Sequence, residues 1–509
     1  IVVVANTIGV AMWRLGTRVS QRMLLDMKRH IHHHLHKLSM SYFDQARTGE
    51  IMSRTVADVN QMEQMLKQSF SILYGMVHLV TVPVIMVGMS PLLLLSTLVP
   101  IPVIALTVHR IRRKQRPLYR QLREHQARIG ATIQENISGI REIKAFNRED
   151  AAHREYTRSN IAYVRSVNQA MRVFSLNHQI MYGTQDMALL LVGVVGGLLV
   201  ITSTGQVTIG TILAFIPLLN RFFHPITQLI AFYDVIQRGL ASAERVFGFL
   251  DTRPEVKDRP HAQWVDLSRG HVAYENVTFG YEPSQPVIND LSFEVRPGEK
   301  VALVGTTGSG KSTIISLLLR FYQPQQGRIL IDGEDIAGVR LDSVSHAVGI
   351  VFQETFLFYG TIAENIAFSR VNVPLEVIRD AARQANIADY IESLPEGYNT
   401  MVGERGVRLS GGQRQRLAIA RMIVKDPAIV VLDEATSAVD SSTERLIQDS
   451  LDHLTQNRTT FVIAHRLSTI RNADRILVLD QGRLQESGSH DELMAREGRY
   501  GELVRSSAL

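Results

Sequence analysis

No cysteine occurs in the 509 residues, which excludes disulfides and thiolate metal centres. A starting methionine is missing as well. The chain opens on Ile1, and its first apolar run, Ile1 to Trp13, is shorter than the ~20 residues a bilayer-crossing helix needs. The N-terminus is therefore expected to be incomplete, and no signal peptide can be read from it. Nor is there one basic patch behind the net charge of +6. Lys and Arg lie beside apolar runs, at Arg14, Arg18, Arg22, Lys28, Arg29 and Lys37, and again at Arg110, Arg112, Arg113, Lys114 and Arg116. Basic residues beside membrane spans mark their cytoplasmic side, so the charge argues against nucleic-acid binding.

At this length two or three domains are expected. The first half carries the apolar runs. Phe70 to Met89 is one and Leu92 to Val108 another, with room only for a tight hairpin at Ser90-Pro91. Residues 187 to 202 form a third, and 209 to 230 a fourth after the turn-like Ser203-Thr204-Gly205-Gln206. With the partial first run this makes five spans by length and flanking charge. The polar stretches between them, 14 to 67 and 109 to 168, keep helical spacing and contain almost no Gly or Pro. They read as helices running far into the cytoplasm, each turning midway, near Thr48-Gly49 and near Ser138-Gly139.

Polar residues interrupt the spans at Asp186, Asn220, Arg221 and His224. Intramembrane charge is costly and faces a wet cavity or a partner. Two readings follow: a translocation pathway lined by Arg221, His224 and Asp186, or an Asp186–Arg221 ion pair that holds helices together. The run His30-Ile31-His32-His33-His34-Leu35-His36 has metal-like spacing, but with no acidic residue or cysteine close by it reads as a solvated or headgroup-facing stretch.

Asp251 to Ser268, with Pro254 and Pro260, reads as a linker. Short β-type runs follow, at His271 to Phe279, Leu291 to Val295 and Val301 to Val304. The last leads into Gly305-Thr306-Thr307-Gly308-Ser309-Gly310-Lys311-Ser312-Thr313 and then an apolar helix. Strand, glycine loop and helix form the setting a phosphate-binding loop requires. Glycines let backbone N–H groups point at phosphates, and the helix N-terminus adds a favourable dipole. Lys311 is placed to reach the β- and γ-phosphates of ATP, and the Ser312 hydroxyl to ligate Mg2+. Ile429 to Leu432 is an apolar strand ending in Asp433 and Glu434. Asp433 is expected to hold Mg2+ and Glu434 to orient the attacking water.

Leu409-Ser410-Gly411-Gly412-Gln413, shortly before that strand, resembles the signature motif of the ATP-binding cassette family. The rest of the half is similar in order. Tyr281 resembles the aromatic residue that stacks on adenine, and Gln353 the loop glutamine that senses the γ-phosphate and Mg2+. Ser437-Ala438-Val439-Asp440 resembles the loop that crosses between subunits, with Val439 where Leu is commoner, and His465, after the strand Thr459 to Ala464, resembles the switch histidine. The first half resembles the exporter branch, of the multidrug or lipid A flippase type. Tyr42-Phe43-Asp44 through Arg54 looks like its first cytoplasmic turn, Gly139 through Phe146 like its second, and Val402 to Gly406 like an exporter loop.

The resemblance implies an all-α polytopic transmembrane domain over 1–250, of six spans with the first missing here, a linker over 251–268, and an α/β P-loop nucleotide-binding domain over 269–509. It implies catalysis by Glu434, His465, Gln353 and Lys311. ATP would be held by Tyr281, residues 305–313, Ser410, Gly411, Gly412, Gln413 and Asp440, and Mg2+ by Ser312, Gln353 and Asp433. One nucleotide domain per chain implies a dimer in which each signature closes over the partner's ATP. Both halves of a site are intact, so a homodimer suffices, with a heterodimer left open. The implied activity is ATP-driven export of a hydrophobic or amphipathic substrate, a drug or lipid, across a cell membrane, with the nucleotide domain in the cytoplasm. A peptide exporter and a gated channel are the alternatives.

Overall fold

A computed structural model describes residues 2–202, 207–403, 409–433, 441–463, 467–496 and 498–505. The chain divides into two compact units. One comprises 1–33 and 49–251, the other 34–48 and 252–509. A piece of the apolar half, 34–48, thus belongs to the second unit.

The first unit is helical. Its elements are α1 (Val2–Leu35), then, beyond α2 (Met40–Gln45) of the second unit, α3 (Thr48–Met52), α4 (Asp58–Met89), α5 (Pro91–Leu98), α6 (Ile101–Ser138), α7 (Ile140–Ala145), α8 (Glu149–Thr202) and α9 (Ile209–Leu250). Among the described residues, three segments are long and apolar enough to cross a membrane: Thr48–Met89, Tyr182–Thr202 and Ile209–Leu250. Pro91–Val103 is a shorter apolar one. Their shared interior is built from Val82, Met86, Leu93, Val192, Phe215 and Leu219. Their outer faces stay apolar, as a bilayer requires; Val80 is 66% exposed and Val84 67%.

The hairpin at Ser90-Pro91 is present. Ser90 caps α5, its Oγ accepting from the Leu93 N–H at 3.4 Å, and Pro91 sits where a helix needs no donor. The stretch 92–108, read as one helix, is two. Pro100 and Pro102 remove donors and disfavour helix before them, so the chain turns at Val99–Pro100. The second cytoplasmic turn falls at Gly139, as expected, where α6 ends. The first comes in two parts: helix is lost at 46–47, next to the expected Thr48-Gly49, and also earlier, at 36–39. The turn expected at 203–206 lies outside the described residues.

In the second unit the order is β1 (Val272–Phe279), β2 (Ile288–Val295), β3 (Lys300–Val304), α10 (Lys311–Leu318), β4 (Gln326–Ile331), β5 (Glu334–Asp335), α11 (Leu341–Ala347), β6 (Val348–Val351), β7 (Gly360–Thr361), α12 (Ile362–Ile366), α13 (Leu375–Gln384), α14 (Ala388–Glu392) and β8 (Met401–Val402). Then come α15 (Gly411–Lys425), β9 (Ile429–Asp433), α16 (Ser441–Thr455), β10 (Thr459–Ile463), α17 (Leu467–Arg471), β11 (Arg475–Asp480), β12 (Arg483–Gly488), α18 (His490–Ala495) and α19 (Arg499–Arg505). A six-stranded sheet runs β12-β11-β3-β10-β9-β6, parallel except for edge strand β12, and a four-stranded antiparallel sheet runs β2-β1-β4-β5. The strands β3, β9 and β10 are nearly all buried, which is why they read as continuous apolar runs. Strand β10 ends at Ile463; Ala464, expected to close it, is outside the described residues.

The linker is pinned by a buried arginine. Arg320, only 2% exposed, donates to the carbonyls of Val339 (2.6 Å), Lys257 (3.3 Å) and Ala337 (3.4 Å), with Asp258 at 3.6 Å.

Candidate functional site

Register puts the functional residues in one row. Ile463 pairs with both Asp433 and Leu303, and Leu432 pairs with Val351. The C-terminal ends of the neighbouring parallel strands β3, β10, β9 and β6 therefore lie side by side, where ligands bind in open α/β sheets. The glycine loop leaves β3, Asp433 closes β9, and Gln353 follows β6 by two residues. Glu434, Asp440 and His465 lie outside the described residues, one and seven residues past the end of β9 and two past the end of β10.

Between β3 and α10 the loop turns back through Gly308 (φ 84°) and Gly310 (φ 103°), a backbone region that glycine enters without strain. A Cβ on Gly310 would sit 2.5 Å from Ile288 Cδ1, so a side chain there would also force Ile288 to move. Lys311 folds over this loop and donates from Nζ to the carbonyls of Gly305 (2.7 Å) and Thr306 (3.0 Å). Burial pushes its ammonium below the ordinary lysine range. No carboxylate pairs with it among the described residues. Ser309 Oγ is buried without a hydrogen-bond partner. A buried ammonium without a counter-charge and an orphaned hydroxyl, on a glycine loop at a helix N-terminus, fit the oxygens of a polyphosphate. Beside them, the exposed Ser312 hydroxyl, the Asp433 carboxylate and the Gln353 amide offer only oxygen donors to a metal, the set a hard divalent cation such as Mg2+ prefers. Among the described residues no cluster of three His, Asp or Glu could hold a metal, the His30–His36 run included.

An aromatic cluster flanks the loop. Tyr281 is half exposed, its ring edge-on to Phe279 (5.2 Å) and Tyr322 (5.1 Å) and its hydroxyl 3.2 Å from Thr313 Oγ1. Half of its surface stays open to a ligand. Tyr322 is buried, and its hydroxyl donates to the Asp44 carboxylate of the segment carrying α2. Burial first, and then that carboxylate, raise the Tyr322 phenol well above its ordinary range. Ser39 holds the same segment, its Oγ accepting from the Val256 N–H at 2.8 Å. The sequence reading missed this contact.

The signature residues start α15. Ser410 Oγ accepts from the Gln413 N–H (3.2 Å) while Gln413 Oε1 accepts from the Ser410 N–H (2.8 Å), a reciprocal cap. Ser410 and Gly411 remain exposed, so the N-terminus of this 15-residue helix presents free N–H groups and positive dipole outward. α15 packs on α12, α13, α16 and β6. Arg421, desolvated on the same helix, lies over the rings of Phe358 (5.9 Å) and Phe368 (5.2 Å) and donates to the Phe356 carbonyl (3.1 Å), bracing the loop after Gln353.

In the first unit, a cavity of about 590 Å3 lies between α4, α8 and α9, lined by Arg221 and His224 as expected. Asp186 does not line it. Gln185, one residue earlier, takes that place and donates to Asn220 Oδ1. No ion pair joins Asp186 to Arg221 among the described residues, so neither reading holds as it was framed.

Comparison with known proteins agrees with this layout. The sequence model of the ABC transporter transmembrane region matches residues 1–226, and that of the ABC transporter matches 288–437. The chain is 40% identical over 494 residues to a fatty acid ABC transporter ATP-binding/permease protein of Mycobacterium tuberculosis, covering 97% of this chain and 78% of that one. It is 38% identical over 486 residues to an ATP-dependent lipid A-core flippase of Desulfotalea psychrophila, covering 95% and 84%. A solved bacterial Atm1-family ABC exporter with ATP bound superposes with a TM-score of 0.78 at 37% identity, over 97% of this chain and 86% of that one.

Proposed function

The chain belongs to the ABC transporter family, as an exporter that hydrolyses ATP and spans a membrane with its nucleotide domain in the cytoplasm, and from that premise we propose how its residues divide the work. It acts as a homodimer with two ATP molecules between the nucleotide domains. Each ATP rests on the glycine loop of one copy and under the signature of the other. The exposed, capped start of α15 supports this, because its outward N–H groups suit a γ-phosphate. Residues 305–313 hold the phosphates, with Lys311 neutralising the β–γ bridge, and Tyr281 stacks on the adenine. Ser312, Gln353 and Asp433 would hold Mg2+, which spreads the negative charge that builds on the phosphates when bound. Glu434 takes the proton of the attacking water, His465 orients the γ-phosphate, and Asp440 lies in the loop that crosses to the partner copy.

Closure of the domains over ATP turns the helices from inward- to outward-facing, and hydrolysis removes the bridge and resets them. The cargo is a hydrophobic or amphipathic molecule moved outward. The two relatives above are named for fatty acids and for lipid A, both amphipathic. The observation that carries the reading is the phosphate cradle, with its buried Lys311 and orphaned Ser309 hydroxyl, in a chain whose described residues also include three bilayer-length apolar segments. The test is reconstitution into sealed vesicles with a panel of lipids and drugs. Uphill transport with substrate-stimulated ATPase is expected; ion current without uphill movement would make it a channel instead.

A further inference from the structure

The cavity between α4, α8 and α9 has a chemistry of its own. Its nitrogen-bearing side chains are His78, Gln185, Asn220, Arg221, His224 and Gln228, hydroxyls come from Ser71, Tyr74, Tyr182 and Thr227, and no acidic residue among the described ones contributes to it. Arg221 stands about 18 Å along α9 from Ile209 at 1.5 Å per residue, within a segment apolar enough to cross a bilayer. A full charge at such a depth is expensive unless it is paired. No carboxylate pairs with Arg221 among the described residues, and the Asp186 side chain is exposed outside the cavity. Some of the remaining polar groups contact one another. Gln185 donates to Asn220 Oδ1, Gln228 Nε2 lies 2.8 Å from His224 Nε2, and Tyr74 sets its ring edge-on to His78 at 4.6 Å. Both imidazoles share the cavity lining with the guanidinium. Gly75 lets α4 approach α9: a Cβ there would meet Pro225 Cβ at 3.1 Å.

Resting on the exporter reading above, we infer that this cavity binds the carboxylate head of a single-chain amphiphile. Arg221 supplies the one fixed charge, as a bidentate partner for a planar carboxylate, and His78 and His224 complete its hydrogen bonds. The alkyl chain lies along apolar helix surface. One guanidinium matches a mono-anion. It underpays a phosphate dianion, and it repels an amine.

The test uses the full-length protein in phosphatidylcholine nanodiscs, with ATPase activity titrated against oleate, methyl oleate, oleylamine and oleyl phosphate. Oleate is expected to stimulate at the lowest concentration, with the neutral ester and the amine giving no saturable response. In Arg221→Gln the half-maximal oleate concentration should rise at least tenfold, and Arg221→Lys should recover part of the loss. The inference is overturned if methyl oleate acts as well as oleate, if oleyl phosphate acts at lower concentration, if Arg221→Gln titrates like the parent, or if no amphiphile stimulates. The wild-type comparison decides the matter even if the variants fold poorly. Absence of basal ATPase in the wild-type protein would instead count against the exporter reading itself.

Discussion

Replacing Tyr281 by alanine tests the proposed nucleotide site at its aromatic member. The residue is 50% exposed and its ring packs at right angles to those of Phe279 and Tyr322. Base-on-aromatic stacking contributes about 1–3 kcal/mol. At 1.4 kcal/mol per factor of ten, its loss weakens ATP binding by about 5- to 150-fold. Tyr281→Phe keeps the face and loses only the contact to Thr313 Oγ1 at 3.2 Å, a neutral hydrogen bond of about 0.5–1.5 kcal/mol, so its effect stays near or below tenfold. Tyr322→Ala removes an edge-to-face neighbour and the tie to Asp44 without touching the base. One aromatic pair, about 0.5–1.5 kcal/mol, predicts a loss of roughly 2- to 12-fold through misplacement of Tyr281. Calorimetric titration of ATP into the purified protein without Mg2+ keeps hydrolysis out of the measurement. Tyr281→Ala binding ATP within twofold of wild type would refute the stacking assignment. Equal losses in Tyr281→Phe and Tyr281→Ala would move the effect from the ring face to the hydroxyl.

Glu434→Gln is expected to keep ATP binding and to lower turnover at least ~100-fold, the usual weight of a general base, leaving a closed dimer visible by size-exclusion chromatography; near-normal turnover would defeat the assignment. Lys311→Ala removes the charged donor from the cradle and should weaken ATP binding by about 10-fold or more, given about 1.5–3 kcal/mol for hydrogen bonds to a charged group. Unchanged affinity by the same calorimetric titration would count against it. Arg320→Ala frees three carbonyls and the linker it holds. A loss of about 3 kcal/mol, at roughly 2–4 °C per kcal/mol for a domain of this size, should lower the melting temperature of the solubilised full chain by about 6–12 °C, and an unchanged melt would show the contact to be incidental.

What could be read from the sequence was local. The phosphate loop is legible because strand, glycines and helix follow one another within a few turns of chain, and β9 because a fully buried parallel strand must be apolar throughout. What was missed depends on direction or on distance. Asp186 was chosen for its charge, yet one position along a helix is a rotation of 100°, and the cavity receives Gln185. Thr48-Gly49 was chosen for its glycine, while the chain also leaves helix earlier, where Ser39 can bond Val256. That partner lies 217 residues away, and the Asp44–Tyr322 pair is separated by 278. No periodicity within a window reveals such pairs. Arg320 left only a faint trace, a basic residue closing an apolar helix, in the left-handed backbone region at φ 54°.

The placement of 34–48 bears on how a nucleotide could move a membrane helix. By sequence this segment is continuous with α1 before it and with α3 and α4 after it, yet it folds as part of the nucleotide unit. It is fastened there by Ser39 to Val256 and by Asp44 to Tyr322, and Tyr322 is the edge neighbour of Tyr281. The path from Tyr281, the proposed base platform, to the apolar segment that begins at Thr48 is therefore one aromatic contact, one hydrogen bond and a few peptide units. Hydrogen bonds to a charged group contribute about 1.5–3 kcal/mol. On the proposed mechanism, that is enough to set a resting position and small enough to yield when ATP draws the domains together. A coupling element must have two arrangements that both sites bias, and a tie of this size, between a phenol and a solvent-reachable carboxylate, can be both made and broken within a cycle. A buried salt bridge in its place would cost several kcal/mol to open and would act as a hinge pin instead of a switch.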